Sequence, residues 1–484
     1  MTQSKSSMSF VTQSNDLILD GNDSTEFENF WHSNNNNLEY TVTKDTKIVS
    51  FAYQVPGVDP LACLQKLNHN NTLHFYWENC SKQEAVAAWG ITKSNYTESS
   101  SRFSVAQDFI EECFQQIIRK GDNNLGIGKP SVFCSFTFFK DIESSPPFKS
   151  GTLFLPRFQA VKKNKNCCFI VNFPILKNQQ ESQIVEKIKQ ELDNTNWAGL
   201  KEINIDKGNS LLSTDREQHQ DSNYFKSVVT SALDEIALDK LSKIVIAHTT
   251  EIKSAQPFKI VESLSNLRQL HPDCYIFSTS NGEGQYFIGA SPERLISVQN
   301  RQLVTDALAG SAPRGANNTE ALHLANLLLK NRKEKREHKA VSDFMMDRLR
   351  SVGLKPQQLP LQLLKLSNIQ HLWTPIYAHL PADIEPLEIV ALLHPTPAVA
   401  GVSTEIACEK IRHYEKFDRS LYAAPLGWVD YEGNGEFIVG IRSALIDGDR
   451  ARLYAGAGIV SGSNPNKEFA EVQLKLQSLL KALV

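Results

Sequence analysis

Several signals are missing from this sequence, and each absence excludes something. There is no surplus of positive charge: Lys plus Arg number 51 and Asp plus Glu 54, a formal net charge of −3. Neutralising a polyanion such as DNA takes a basic excess, so nucleic acid is excluded as a partner. No apolar run approaches the roughly 18 residues of a membrane span. The opening MTQSKSSMSF lacks the charged-then-apolar order of a secretory signal. The 8 cysteines form no CxxC pair and no cluster beside histidine at zinc spacing. Their scatter fits a reducing compartment, where cysteine serves as a small buried hydrophobe. What remains is a cytoplasmic globular chain with no membrane role. Its hydrophobic share of 41 % is enough for a large core, and its 484 residues suggest two or three domain-sized units.

The patterning is mixed. Residues 1–44 read as a polar, flexible N-terminal segment that includes Asn34-Asn35-Asn36-Asn37. From about Asp45 to Pro174 short β-like runs dominate, such as Leu73–Trp77, Ser131–Phe136 and Gly151–Pro156. A helix is predicted near Gln183–Leu192, and the hydrophilic stretch Asp206–Asn223 reads as a boundary or long loop. Beyond it, Tyr224, Val228, Ala232 and Ile236 mark a helix face, and Lys243–Ala247 reads as a buried strand. Hairpins are predicted around Asn281–Gly284, between Arg294–Gln299 and Gln302–Leu308, and around Asp447-Gly448-Asp449, the last after a strand running Glu436–Ile446. One long helix is predicted from Thr319 to Val352, stopped by Gly353, and a last helix starts at Pro465. Hairpins mean antiparallel sheet, so the fold class is α+β, not a parallel βαβ array.

A few residues could carry chemistry. Glu468, Glu471 and Lys475 fall at i, i+3 and i+7 on one face of the last helix, close to the side of Val472, Leu476 and Leu479. The same spacing also serves an ordinary surface pair. Gly456–Ser463 ahead of it reads as a glycine-rich turn whose amides suit an anion, without the ending of a P-loop. Within the charged run Lys330–Lys339, Glu337 lies on the apolar stripe of Val341 and Met345 and needs a partner, of which a metal ion is one. Glu337 with Glu471 would make a hard oxygen site of the kind Mg²⁺ takes. Lys243 opens an apolar strand, where desolvation favours a neutral amine usable as a base. Glu293 follows Pro292 at a strand end, where the bland reading is a turn carboxylate paired with Arg294.

Taken together these residues carry a resemblance. The blocks are Ser242–Ala247, Gly289-Ala290-Ser291-Pro292-Glu293-Arg294-Leu295, Ala307–Ala312, Arg336-Glu337-His338, His394–Val399, Phe417-Asp418-Arg419, Tyr454–Val460 and Glu468-Phe469-Ala470-Glu471 with Lys475. In that order they resemble the chorismate-utilising enzymes, and within them the isochorismate synthases of menaquinone, phylloquinone or siderophore supply. Weaker likeness at Phe75–Glu78 and Leu155–Arg157 extends it into the N-terminal half. The resemblance implies two pseudo-symmetric subdomains of antiparallel sheet flanked by helices around a central cleft. Residues 45–221 would be the N-terminal subdomain and 222–484 the catalytic region, both in one composite fold. It implies chorismate as substrate, with water added at C2 and the C4 hydroxyl lost. Lys243 would be the base, Glu293 the acid, and His371 would stand near the leaving hydroxyl. Mg²⁺ would be held by Glu337 and Glu471, with Glu468 as a further ligand. Tyr422, Arg442, Gly458, Thr396 and Lys475 would meet substrate, and Gly310 would allow close approach of the ring.

The resemblance also separates branches. Anthranilate synthases typically carry Gln where Lys243 stands. Aminodeoxychorismate synthases place a lysine in the segment held here by Ala307-Leu308-Ala309-Gly310. Water is therefore the implied nucleophile, and no glutamine amidotransferase subunit is expected. Salicylate synthases share Lys243 and Glu293 and remain the alternative, as does a non-catalytic chorismate binder. His248, where the family more often has Arg, lies on the strand face opposite Lys243 and reads as a packing change. A monomer is expected.

Overall fold

The computed structural model describes residues 42–68, 72–98, 100–122, 126–141, 146–176, 179–203, 214–215, 222–315, 317–366 and 369–483. The first forty residues and most of the Asp206–Asn223 stretch therefore lie outside the described residues.

Alternating and continuous apolar runs pair into two long antiparallel sheets. The first runs, strand beside strand, through Ile117–Gly121, Ile48–Val55, Asn166–Pro174, Gly151–Lys163, Glu84–Thr97, His74–Asn79, Tyr275–Ser280, Gln285–Ser291, Ser443–Asp447, Arg450–Val460 and Lys243–Ser254. Ile48–Val55 and Ile117–Gly121 run parallel. The second branches from the same Gly151–Lys163 strand through Ser131–Phe136, Pro425–Asp430, Gly435–Val439, Arg294–Gln299, Gln302–Pro313 and Ile369–His379. A strand of 13 residues can belong to both sheets because its two halves meet different partners. N-terminal strands thus pair with C-terminal strands at one seam in each sheet, His74–Asn79 with Tyr275–Ser280 and Ser131–Phe136 with Pro425–Asp430, and one continuous apolar cluster spans both halves. The α+β class stands, and the composite core has this strand exchange as its cause.

Helices cover the sheets where the cleft forms. The C-terminal helix, Pro465–Leu483, lies on the Arg450–Val460 strand, burying Val472, Leu476 and Leu479. Arg332–Ser351 lies on Gln302–Pro313 and Ile369–His379 of the other sheet, burying Val341, Met345 and Leu349. Among the described residues no helix is long and apolar enough to cross a membrane.

Three sequence expectations need correction. The helix predicted over Thr319–Val352 is two helices, Asn318–Lys330 and Arg332–Ser351. Asn331 takes an extended conformation between them and its side chain accepts from the amides of Lys333 and Glu334, capping the second helix. The run Glu436–Ile446 is two strands, broken at Gly440–Arg442, where Arg442 has φ of 50°. Gly456 and Gly458 stand inside a strand rather than a turn, paired with Ala247 and Val245.

Candidate active site

The two sheets and their two covering helices enclose a cleft of about 120 Å³. Each helix contributes a pair of glutamates one turn apart: Glu334 and Glu337 from Arg332–Ser351, Glu468 and Glu471 from the C-terminal helix. Lysines interleave with them. Lys243 Nζ lies 2.8 Å from Glu337 Oε1, Lys475 Nζ lies 2.8 Å from Glu471 Oε1, and Lys333 Nζ lies 3.4 Å from Glu468 Oε1. Lys475 also donates to the Gly456 carbonyl at 2.9 Å, which ties the helix to the strand beneath.

Lys243 is 2 % exposed. The sequence reading treats it as an isolated ammonium in an apolar strand; its ion pair with Glu337 replaces that picture. Gly458 makes the pairing possible, because a Cβ there would stand 2.8 Å from Glu337 Oε1 and 3.2 Å from Lys243 Cε. Gly310 does the same on the opposite wall. It is the bulge residue between Ala309 and Ser311, with φ of 77°, and an added Cβ would meet Glu334 Oε2 at 3.1 Å.

Glu293 projects from the turn between Gln285–Ser291 and Arg294–Gln299. Its backbone is pinned on both sides: its amide donates to Ser291 Oγ at 3.1 Å, and its carbonyl accepts from the Val439 amide at 3.0 Å. Arg294 pairs with Asp306, not with Glu293. Burial pushes the Glu293 carboxyl up from 4.5 to about 8, against the pull of Lys243 and Lys475. It therefore carries a proton at neutral pH.

His371 is fixed between two groups. Arg442 Nη2 lies 3.0 Å from His371 Nε2, and the ring also bonds the Gly310 backbone. Since guanidinium can only donate, Nε2 is the acceptor and the other ring nitrogen carries the hydrogen. Burial, then Arg442 and Lys475, hold its value well below that of an ordinary histidine. The ring is neutral. Tyr422 stacks on Tyr454 with ring centroids 5.2 Å apart, both on the cleft wall. Thr396 does not line the cleft; it lies two residues from Ala398, which does, and its buried hydroxyl has no partner.

Sequence reasoning missed Glu334, Ser311 and Lys333. Burial and then the neighbouring Glu337 push Glu334 up to about 7. Ser311 donates its hydroxyl to Glu471 at 3.1 Å and its amide to Glu334 at 3.2 Å. The available signal was the i, i+3 step back from Glu337. Arg419, fully buried, holds the floor: it bonds Glu415 and the carbonyls of Val399 and Val245. His248 packs between Phe225 and Phe469, as a packing residue should.

Among the described residues no three His, Cys, Asp or Glu are gathered closely enough to hold a metal ion. The donor set nevertheless fits a hard divalent cation in kind, since four carboxylates line one cleft. Glu337 and Glu471 also crowd Glu334, a repulsion that such a cation relieves. Lysines occupy the carboxylates instead.

An enclosed cleft of paired Lys and Glu, with a protonated acid and a neutral histidine, defines an acid–base site for a small anionic molecule. Residues 35–484 match the model of the chorismate binding enzymes, and the chain belongs to that family. It is 28 % identical to the isochorismate synthase MenF of Bacillus subtilis over 90 % of this chain and 93 % of that one. It is 37 % identical to the salicylate biosynthesis isochorismate synthase of Pseudomonas aeruginosa over 54 % of this chain, an alignment that spans 55 % of that relative's length. The solved structure of MenF, the menaquinone-specific isochorismate synthase from Escherichia coli, superposes with a TM-score of 0.74 at 26 % identity, covering 95 % of this chain and 99 % of that one.

Proposed function

We propose that the protein is an isochorismate synthase that converts chorismate to isochorismate with Mg²⁺. The observation that carries this reading is the buried Lys243–Glu337 pair at a cleft whose wall also holds Glu293, a buried glutamate that keeps its proton at neutral pH. Water is a poor nucleophile and hydroxide a poor leaving group, so the exchange needs both. In its neutral form, released from Glu337, Lys243 takes the proton of the water that bonds to C2. Glu293 delivers its proton to the C4 oxygen, which leaves as water. One water enters and one departs, and the ring double bonds shift between them. His371, neutral and held by Arg442 and Gly310 on the cleft wall, would hydrogen-bond the departing oxygen once Arg442 turns from it to the substrate. Arg442 and Tyr422 fit the enolpyruvyl carboxylate, and Gly310 and Gly458 leave room for the ring.

Glu337 and Glu471 would hold the Mg²⁺, with Glu468 and Glu334 beside them. When bound there, such an ion would neutralise the charge of the ring carboxylate. Supply of menaquinone or phylloquinone is the first use for the product, salicylate or siderophore supply the next. The test is incubation with chorismate and Mg²⁺ followed by product analysis. Isochorismate alone supports the reading. Salicylate with pyruvate would replace it with a lyase, and unchanged chorismate would leave a binding protein.

A further inference from the structure

The lining of the cleft is buried or half-buried, so a substrate crosses its rim to reach it. A second cavity of about 610 Å³ adjoins it and shares Lys333 and Glu337 as a common wall. Its rim is exposed, at Lys240 and Arg336 among others, and its floor is the buried Lys243. Four cations, Lys240, Lys243, Lys333 and Arg336, face two acids, Asp239 and Glu337, and three serines add hydroxyls. Arg336 makes no ion pair or side-chain hydrogen bond among the described residues. In a chain with a net charge of −3, a local cationic excess at the mouth of an enclosed site is a focusing arrangement for an anion.

We propose that this outer cavity is the entry vestibule of the cleft and a transient binding site for a dicarboxylate. Lys240 and Arg336 at the rim draw the dianion in, and Lys333 at the shared wall passes it to the inner site by leaving Glu468. The charged run Lys330–Lys339, which reads as a solvated face, thereby has one side turned to substrate. The inference rests on a chorismate-sized dianion being the substrate.

The test is the double variant Lys240→Gln with Arg336→Gln, assayed against ionic strength. Both side chains are exposed, so the fold is undisturbed, and melting temperature checks this. At low salt kcat/KM falls about three- to tenfold while kcat is retained, because two charges acting on a dianion across roughly 10 Å are screened only at higher salt. The salt dependence of kcat/KM flattens correspondingly. Lys481→Gln, which removes one positive charge at the far end of the last helix, leaves both unaltered. A double variant that matches Lys481→Gln in kcat/KM and salt dependence overturns the vestibule. So does a fall in kcat at constant KM. Chorismate binding by calorimetry keeps the two readings apart. A chain that binds chorismate without turning it over refutes the proposed activity, and the loss of affinity in the double variant at low salt still decides the vestibule.

Discussion

Replacing Glu293 by Gln should inactivate the protein and stabilise it at the same time. The fold holds the Glu293 carboxyl at about 8 against an ordinary 4.5, chiefly by burial. A raised acid is a group whose neutral form the fold tolerates. Its contribution is whole below pH 4.5, and it is lost as pH rises towards 8, because the unfolded chain ionises first. With about 1.36 kcal/mol per pH unit, the native protein gives up roughly 3 kcal/mol between pH 5 and pH 8 on this account. Gln keeps the shape and cannot ionise, so it escapes that loss. Urea unfolding of the two proteins at pH 5 and pH 8 measures the difference. The variant's advantage should grow by roughly 3 kcal/mol over that interval, while turnover falls by about 10²- to 10⁴-fold with the proton donor gone. An advantage that does not change with pH, or that shrinks, would refute the claim that burial keeps this acid neutral.

Other expectations follow from the same geometry. Turnover of the unaltered protein should fall as pH rises past about 8, since only protonated Glu293 can serve the leaving oxygen; a pH–rate profile flat to pH 9.5 would contradict it. Lys243→Ala should abolish water addition yet keep chorismate binding, as seen by calorimetry beside a product assay. Gly458→Ala puts a Cβ 2.8 Å from Glu337 Oε1, so kcat should drop at least about tenfold with a small change in melting temperature. Glu471→Ala should weaken the Mg²⁺ response, and an unaltered Mg²⁺ titration counts against Glu471 as a ligand. Arg419→Met removes one half of a fully buried pair with Glu415, and should cost about 3–5 kcal/mol in unfolding experiments.

Much of the fold can be read from local pattern. Ser131–Phe136 is a strand at the bounds its apolar run sets, and the Tyr275–Ser280 and Gln285–Ser291 hairpin closes on the Asn281–Gly284 turn. The failures have physical causes. Periodicity continues across Asn331, so only its side-chain cap betrays the break. Gly456 and Gly458 look like a turn because small residues are turn formers, but here Gly456 makes room for the Tyr422 hydroxyl and Gly458 for Lys243 and Glu337 against a strand. The cleft also gathers residues from stretches scattered between Val245 and Lys475, and nothing local announces which lysine meets which glutamate. The Lys243–Glu337 pair spans 94 positions and joins a strand of one sheet to the helix that lies on the other. Glu334 escaped for the same reason, since its burial is set by Gly310 and Ser311 on another strand.

The central claim is that water from solvent, activated at Lys243, becomes the new ring hydroxyl while the original one leaves through Glu293. Running the reaction with chorismate and Mg²⁺ in H₂¹⁸O tests it directly by mass spectrometry of the product. Isochorismate should carry one ¹⁸O, at C2, and Lys243→Ala should form none. Isochorismate made without solvent oxygen, by migration of the original hydroxyl, would contradict the account.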